Sequence, residues 1–139
     1  PSLAKLPLET GGFLFGLRRA NDIEAVGITR ASSGDIATPT SFSRNSESHS
    51  KSINDAWAAS SGFITIIGDW HTHPTGRASP SSTDKRAWEQ MTKHTRATTI
   101  GIIASPIELN VYKCISSFGF KNCVLLELIE ETADDLVYS

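Results

Sequence analysis

The stretch Phe63-Ile64-Thr65-Ile66-Ile67-Gly68-Asp69-Trp70-His71-Thr72-His73-Pro74 sets a β-branched apolar run directly before a pair of histidines. Phe63 to Gly68 is short and rich in Ile, which suits a buried strand. Side chains alternate along a strand, so histidines at i and i+2 project to the same side there, whereas at that spacing on a helix they diverge. Pro74 biases His73 toward extended backbone. His71 and His73 are therefore expected to project together from the end of the strand, with ring nitrogens able to share one metal ion. Trp70 points the other way and packs behind them.

Downstream, Pro80-Ser81-Ser82-Thr83-Asp84 has the form of a helix start, with Ser81 as N-cap and Asp84 in the first turn. The helix is expected from Ser81 to Lys93, with Ala87, Trp88 and Met91 on one face. Upstream, residues 47–60 place Ile53, Ala56 and Trp57 at helical spacing, with Gly62 as a stop and Trp57 as a core residue. Phe13-Leu14-Phe15 and Ile23 to Ile28 read as a hairpin across the turn 18–22. Between them and the helix, Ala31 to Ser48 is rich in Ser, Thr, Gly, Pro and Asn and is expected to be a long loop anchored by Phe42. Thr98 to Ala104, Ile107 to Cys114 and Cys123 to Ile129 are later strand candidates, the last fitting a helical period equally well. The sum is one α/β (α+β) domain over residues 1–139, a mixed β-sheet flanked by at least two helices.

Composition narrows the function classes. With 139 residues, 39% hydrophobic content and no apolar run near the ~20 residues a bilayer requires, the chain is long enough for one core and no membrane partner is expected. Thirteen Lys and Arg against fifteen Asp and Glu leave a net charge of -2, which gives nucleic acid no broad electrostatic hold. Two cysteines, Cys114 and Cys123, fit neither a zinc-type Cys pattern nor a disulfide-stapled secreted fold, so both are expected as buried thiols in a cytoplasmic protein. No export signal is visible, and the sole Met is Met91, so an initiator was trimmed or the chain was cut from a longer one.

Two histidines and Asp84 form a three-ligand set that suits zinc, with the fourth tetrahedral position left to water. Asp84 in isolation reads equally as a capping-box partner of Ser81 beside the helix dipole. His49 and His94 lack metal-type spacing and are expected in surface or packing roles, and Trp88 in the core. Among nearby carboxylates, Asp69 and Glu89 are closest in sequence to the candidate ligands.

The whole run HTHPTGRASPSSTD has seven residues between His73 and Ser81 and two between Ser81 and Asp84. In this it resembles the JAMM (JAB1/MPN/Mov34) metalloprotease family, whose signature has that spacing. Glu9-Thr10-Gly11-Gly12-Phe13-Leu14-Phe15-Gly16 is similar to the family's Glu ahead of a glycine and aliphatic strand. Gly68-Asp69-Trp70 and Thr38 to Arg44 look most like a bacterial subgroup found beside ubiquitin-like conjugation enzymes in antiphage (CBASS-type) operons. Family domains usually carry a strand and helix before the Glu, whereas eight residues precede Glu9.

The resemblance implies one catalytic Zn2+ on His71, His73 and Asp84, with Glu9 as general acid/base and Ser81 supporting the oxyanion. It implies a deconjugating isopeptidase whose partner is a ubiquitin-like protein, or a similarly conjugated target, with an extended C-terminal tail. Companion activating and conjugating (E1/E2-like) enzymes are possible by operon. The tail is expected to add as a strand to a sheet edge, with the Ser-rich loop, Phe42 and Arg44 included, as the wall of the groove. The alternatives are a processing peptidase that trims a sulphur-carrier-like protein and a catalytically silent scaffold.

Overall fold

Thr65–Thr72 forms the strand on which the sheet is organised, paired on both of its edges, and on one of them a Cβ at Gly68 would lie 1.7 Å from the Ile100 carbonyl oxygen, so the absent side chain lets that neighbour close. A computed structural model describes residues 10–20, 22–29, 36–37, 42–43, 54–55, 57–117 and 120–139. In chain order the strands are β1 (Gly11–Arg18), β2 (Ile23–Ile28), β3 (Ile36–Ala37), β4 (Phe42–Ser43) and β5 (Thr65–Thr72). The helix α1 (Ser82–Thr95) follows, then β6 (Thr99–Ala104), β7 (Leu109–Ser117), β8 (Phe120–Leu125), β9 (Leu128–Glu131) and β10 (Leu136–Tyr138). Six strands make one mixed sheet in the order β2-β1-β5-β6-β7-β8. Only β5 and β6 run parallel in it, and a parallel pair needs a crossover, which α1 provides.

The helix covers one face of the sheet. Across neighbouring strands Asp69 stands beside Gly101 and Gly101 beside Tyr112, and this row receives the Trp88 side chain of α1. Trp88 is 0% exposed and packs with Ala78, Ile103, Tyr112 and Cys114 as the core. Arg18 closes the other end of the sheet, its guanidinium donating to the carbonyls of Ile66 (3.0 Å) and Thr98 (3.2 and 3.3 Å).

The hairpin β1–β2, the mixed sheet and the helix after the histidines agree with the sequence reading. Several local expectations do not. The central strand begins at Thr65 and carries on through His71, while Phe63 is 73% exposed. Ser61 (φ 59°) and Gly62 (φ 88°) turn the chain just before it, so Phe63 lies in the turn and not in the ladder. Trp57, expected in the core, is 55% exposed and lies over Gly62. Residues 54–55 and 57–59 are helical, and the rest of the helix expected from residue 47 lies outside the described residues.

On α1 the inward stripe runs through Asp84, Trp88 and Thr92 with Met91 half-buried, and Ala87 faces solvent. Part of the Ser-rich loop is a short antiparallel ladder, β3 with β4, and its remainder lies outside the described residues. The segment from Cys123 to Ile129 is two strands, β8 and β9, not one strand or a helix.

Cys114 and Cys123 are not separate thiols. They stand opposite each other in the β7–β8 register, with Cα atoms 4.1 Å apart, and are joined as a disulfide. A spacing of nine residues conceals this until the hairpin between them is known. Among the described residues, no helix is long and apolar enough to cross a membrane.

Candidate metal centre

His71 and His73 do project to one side, from the C-terminal end of β5. His71 is 6% exposed. Gly11 of β1 pairs with it, and a Cβ at Gly11 would lie 2.8 Å from that of His71, so the absent side chain is what permits the close approach. His73 stays in line beyond the end of the strand because its N–H donates to the carbonyl of Ala104 at 2.8 Å. Between the histidines, Thr72 donates its N–H to the carbonyl of Thr10 (2.8 Å), and its Oγ1 accepts the N–H of Thr10 (3.0 Å). Trp70 points away as expected, its indole N–H donating to the carbonyl of Thr29 at 2.8 Å.

Asp84 arrives from the start of α1. Ser81 caps the helix by accepting the Asp84 N–H at Oγ (3.1 Å), while Asp84 Oδ2 accepts the Ser81 N–H (2.8 Å). This reciprocal box fixes the carboxylate in the first turn. The loop back from Pro74 is tied down at Ala78, whose carbonyl accepts from the Tyr112 hydroxyl (2.8 Å) and the Asn110 amide (3.2 Å). His73 Nδ1 lies 3.1 Å from the carbonyl of Arg77, a pure acceptor, so Nδ1 carries the proton and Nε2 presents a lone pair.

The three candidate ligand atoms meet at one point. His71 Nε2 lies 3.2 Å from His73 Nε2 and 3.2 Å from Asp84 Oδ2, and His73 Nε2 lies 3.3 Å from the same oxygen. Ligands held ~2.0–2.1 Å from a tetrahedral zinc ion are spaced ~3.3–3.4 Å from one another, the edge of the tetrahedron. The nearly equilateral triangle of donors therefore fits such an ion, with a fourth vertex to spare. Burial pushes the Asp84 carboxyl up, but hydrogen bonds from His71 and from the Ser81 backbone, with the electrostatic pull of the His71 ring and a hydrogen bond from the Ser81 side chain, outweigh it and lower the pKa from 3.8 to about 2. The group is thus an anion at neutral pH, as a metal ligand must be.

The other residues singled out in the sequence fall into two groups, those outside the described residues and those the structure places elsewhere. Glu9 and Arg44 lie outside the described residues, and Phe42 is described only as a strand residue opposite Ala37. His49 also lies outside them, and His94 is an exposed residue of α1. Asp69, a candidate carboxylate by sequence, is 3% exposed and accepts the Trp88 indole N–H at 2.5 Å. The carbonyl of Arg77 and the Thr10–Thr72 pairing were not anticipated, since backbone groups leave no mark in the sequence. Asp69 could have been placed: it precedes His71 by two residues, so strand alternation puts both on one face.

The family described as prokaryotic homologs of the JAB domain matches residues 2–115. A protein of Vibrio cholerae named CD-NTase/cGAS isopeptidase is 35% identical over 88 residues, covering 63% of this chain and 56% of its own. One of the same name from Pseudomonas aeruginosa is 30% identical over 107 residues, covering 73% of this chain and 68% of its own. A probable metalloprotease, y4qB of Sinorhizobium fredii, is 39% identical over 83 residues, covering 57% of this chain and 49% of its own. The chain thus spans about half the length of several curated relatives it matches. Among solved structures, protein DSY2949 of Desulfitobacterium hafniense shares the fold, with a TM-score of 0.61, 22% identity and coverage of 94% of this chain and 84% of the other.

Proposed function

Because the chain belongs to the prokaryotic homologs of the JAB domain, we propose that it is a zinc-dependent isopeptidase that frees a conjugated protein from its target. The observation that carries this reading is the His71, His73 and Asp84 triangle, with edges of 3.2–3.3 Å. Bound there, zinc supplies Lewis acidity and lowers the pKa of its water to about 7. His71, His73 and Asp84 hold the ion and leave one side open to water and substrate.

Glu9 takes the proton of the attacking water and returns it to the leaving amine, a lysine nitrogen in an isopeptide. Support for Glu9 comes from its chain neighbour: Thr10 is bonded through its backbone to Thr72, the residue between the two histidines. Ser81 donates to the oxyanion of the tetrahedral intermediate. The Ser81 oxygen accepts the Asp84 N–H, and its hydroxyl proton, which also helps hold the Asp84 carboxylate in its charged form, is the one that would turn to the oxyanion.

The substrate is a conjugate carrying an extended C-terminal tail, with a ubiquitin-like modifier on one side. Relatives named CD-NTase/cGAS isopeptidase favour a CD-NTase as the conjugated protein, in an antiphage setting with E1/E2-like companions. β5 has both edges paired, so the tail cannot add to the strand that bears the histidines. The tail would instead add to another sheet edge, with the Ser-rich loop from Ala31 to Ser48, Phe42 and Arg44 included, as the wall of the groove. A cytoplasmic location goes with this reading, and the disulfide is the observation that weighs against it.

Incubation of the zinc-loaded protein with an isopeptide-linked conjugate and with a linear fusion of the same partners is the test. Cleavage of the conjugate supports the reading. Cleavage of the linear fusion alone makes the protein a processing peptidase, and metal binding without either cleavage makes it a scaffold.

A further inference from the structure

Asp69 and Trp88 sit just behind the triangle, one on each of the two elements that build it. Asp69 lies two residues before His71 on β5, a separation of ~6.6–6.8 Å along a strand. Trp88 lies four residues after Asp84 on α1, ~6.0 Å along a helix. The two spacings nearly match. Strand and helix are therefore joined by two rungs of similar pitch: His71 to Asp84 at 3.2 Å and Asp69 to Trp88 at 2.5 Å.

The surroundings of the second rung are shaped for it. Gly101 stands beside Asp69 in the register, and a Cβ there would lie 2.3 Å from the Trp88 ring, so the indole occupies space that any side chain at 101 would take. Tyr112, beside Gly101, packs on the indole with ring centroids 5.3 Å apart. Its hydroxyl holds the Ala78 carbonyl in the loop that joins His73 to Ser81. The indole ring also lies 6.3 Å from that of His71. With Trp88 wholly buried, its N–H has to find an acceptor, and Asp69 provides one in a single orientation.

We propose that the Asp69–Trp88 hydrogen bond is the spacer that sets the distance between the strand bearing the histidines and the helix bearing Asp84, making both residues positioning residues for the metal centre. The inference rests on the metal-centre reading given above. Packing alone would hold α1 against the sheet, but it tolerates sliding by a fraction of an ångström. A short directional bond one rung behind the ligands does not.

Cobalt(II) titrated into the purified protein reports the geometry of the site through its visible spectrum and the affinity through the titration, without reference to activity. Asp69→Asn keeps an acceptor oxygen in place and is expected to bind cobalt within about threefold of wild type, with the same spectrum. Asp69→Leu, which cannot accept, is expected to bind about 10–100-fold more weakly, with altered band intensities. Trp88→Phe, which keeps an aromatic ring and loses the donor, should change in the same direction and serves where Asp69→Leu fails to fold. Folded Asp69→Leu or Trp88→Phe protein that is less stable yet unchanged in affinity and spectrum would reduce the pair to ordinary core and overturn the inference alone. Failure of the wild-type protein to bind cobalt would overturn the metal-centre reading, and this inference with it.

Discussion

Two regions of this molecule both carry large apolar side chains, yet they are held to very different standards. Along β5 and α1, Ile67, Asp69, His71, Trp88 and Thr92 are buried, and each polar group among them meets a partner. Along the C-terminal hairpin of β9 and β10, every residue of β9 is exposed, and Ile129 reaches 61%. The first region is fixed from several sides at once: strand pairing on both edges of β5, a capping box at Ser81, and the indole seated over Gly101. Among the described residues, the second is fixed by one ladder of its own, by backbone bonds between Glu127 and Ser139, and by bonds across its turn between Thr132 and Asp135. Three donors can be kept within a few tenths of an ångström of a tetrahedral edge only where such constraints accumulate.

Metal removal and single substitutions in the two regions should differ accordingly in their effects. Removal of metal by a chelator is expected to lower cleavage of a conjugate by more than about 10³, reversed by added zinc, because the ion supplies several kcal/mol of transition-state stabilisation. Glu9→Gln should retain metal and fold and lose about 10²–10⁴ in turnover, as removal of a general base does. A rate within about tenfold of wild type would reject Glu9. Ser81→Ala is expected to lose on the order of 10²–10³ in single-turnover rate through the missing oxyanion donor. The same change should cost about 0.5–2 kcal/mol of stability through the missing cap, so a destabilised variant with an unchanged rate would leave Ser81 as a cap only. Ile129→Ser, in the hairpin, should change stability by no more than about 0.5 kcal/mol and leave turnover untouched. A large loss there would show that the two regions are coupled after all.

Much of the centre was legible because its determinants are short-range. The His-x-His spacing, Pro74 and the Ser-x-x-Asp start each fix local backbone and suggest a three-ligand set, the resemblance to the JAMM family joins His71, His73 and Asp84 into one site, and the fold brings the three side chains together. Determinants that act across the sheet were not legible. Cys114 and Cys123 are partners only because β7 and β8 pair in one register. The support that Tyr112 gives the loop at Ala78 spans 34 residues. Trp57 followed a helical period and was expected inside, but periodicity says which residues share a face and not whether anything covers it. The C-terminal apolar residues fitted two periods, and the break at Leu126-Glu127 that divides β8 from β9 decided between them.

We propose that His71, His73 and Asp84 together hold one metal ion per chain. Metal content of zinc-loaded, dialysed protein, measured side by side for the wild type and for His71→Ala, His73→Ala and Asp84→Ala, tests it most directly. About one zinc per wild-type chain is expected, and a small fraction of that in each folded variant, since a catalytic zinc site is held by three protein ligands and each variant keeps two. Equal zinc content in the wild type and all three variants would contradict it.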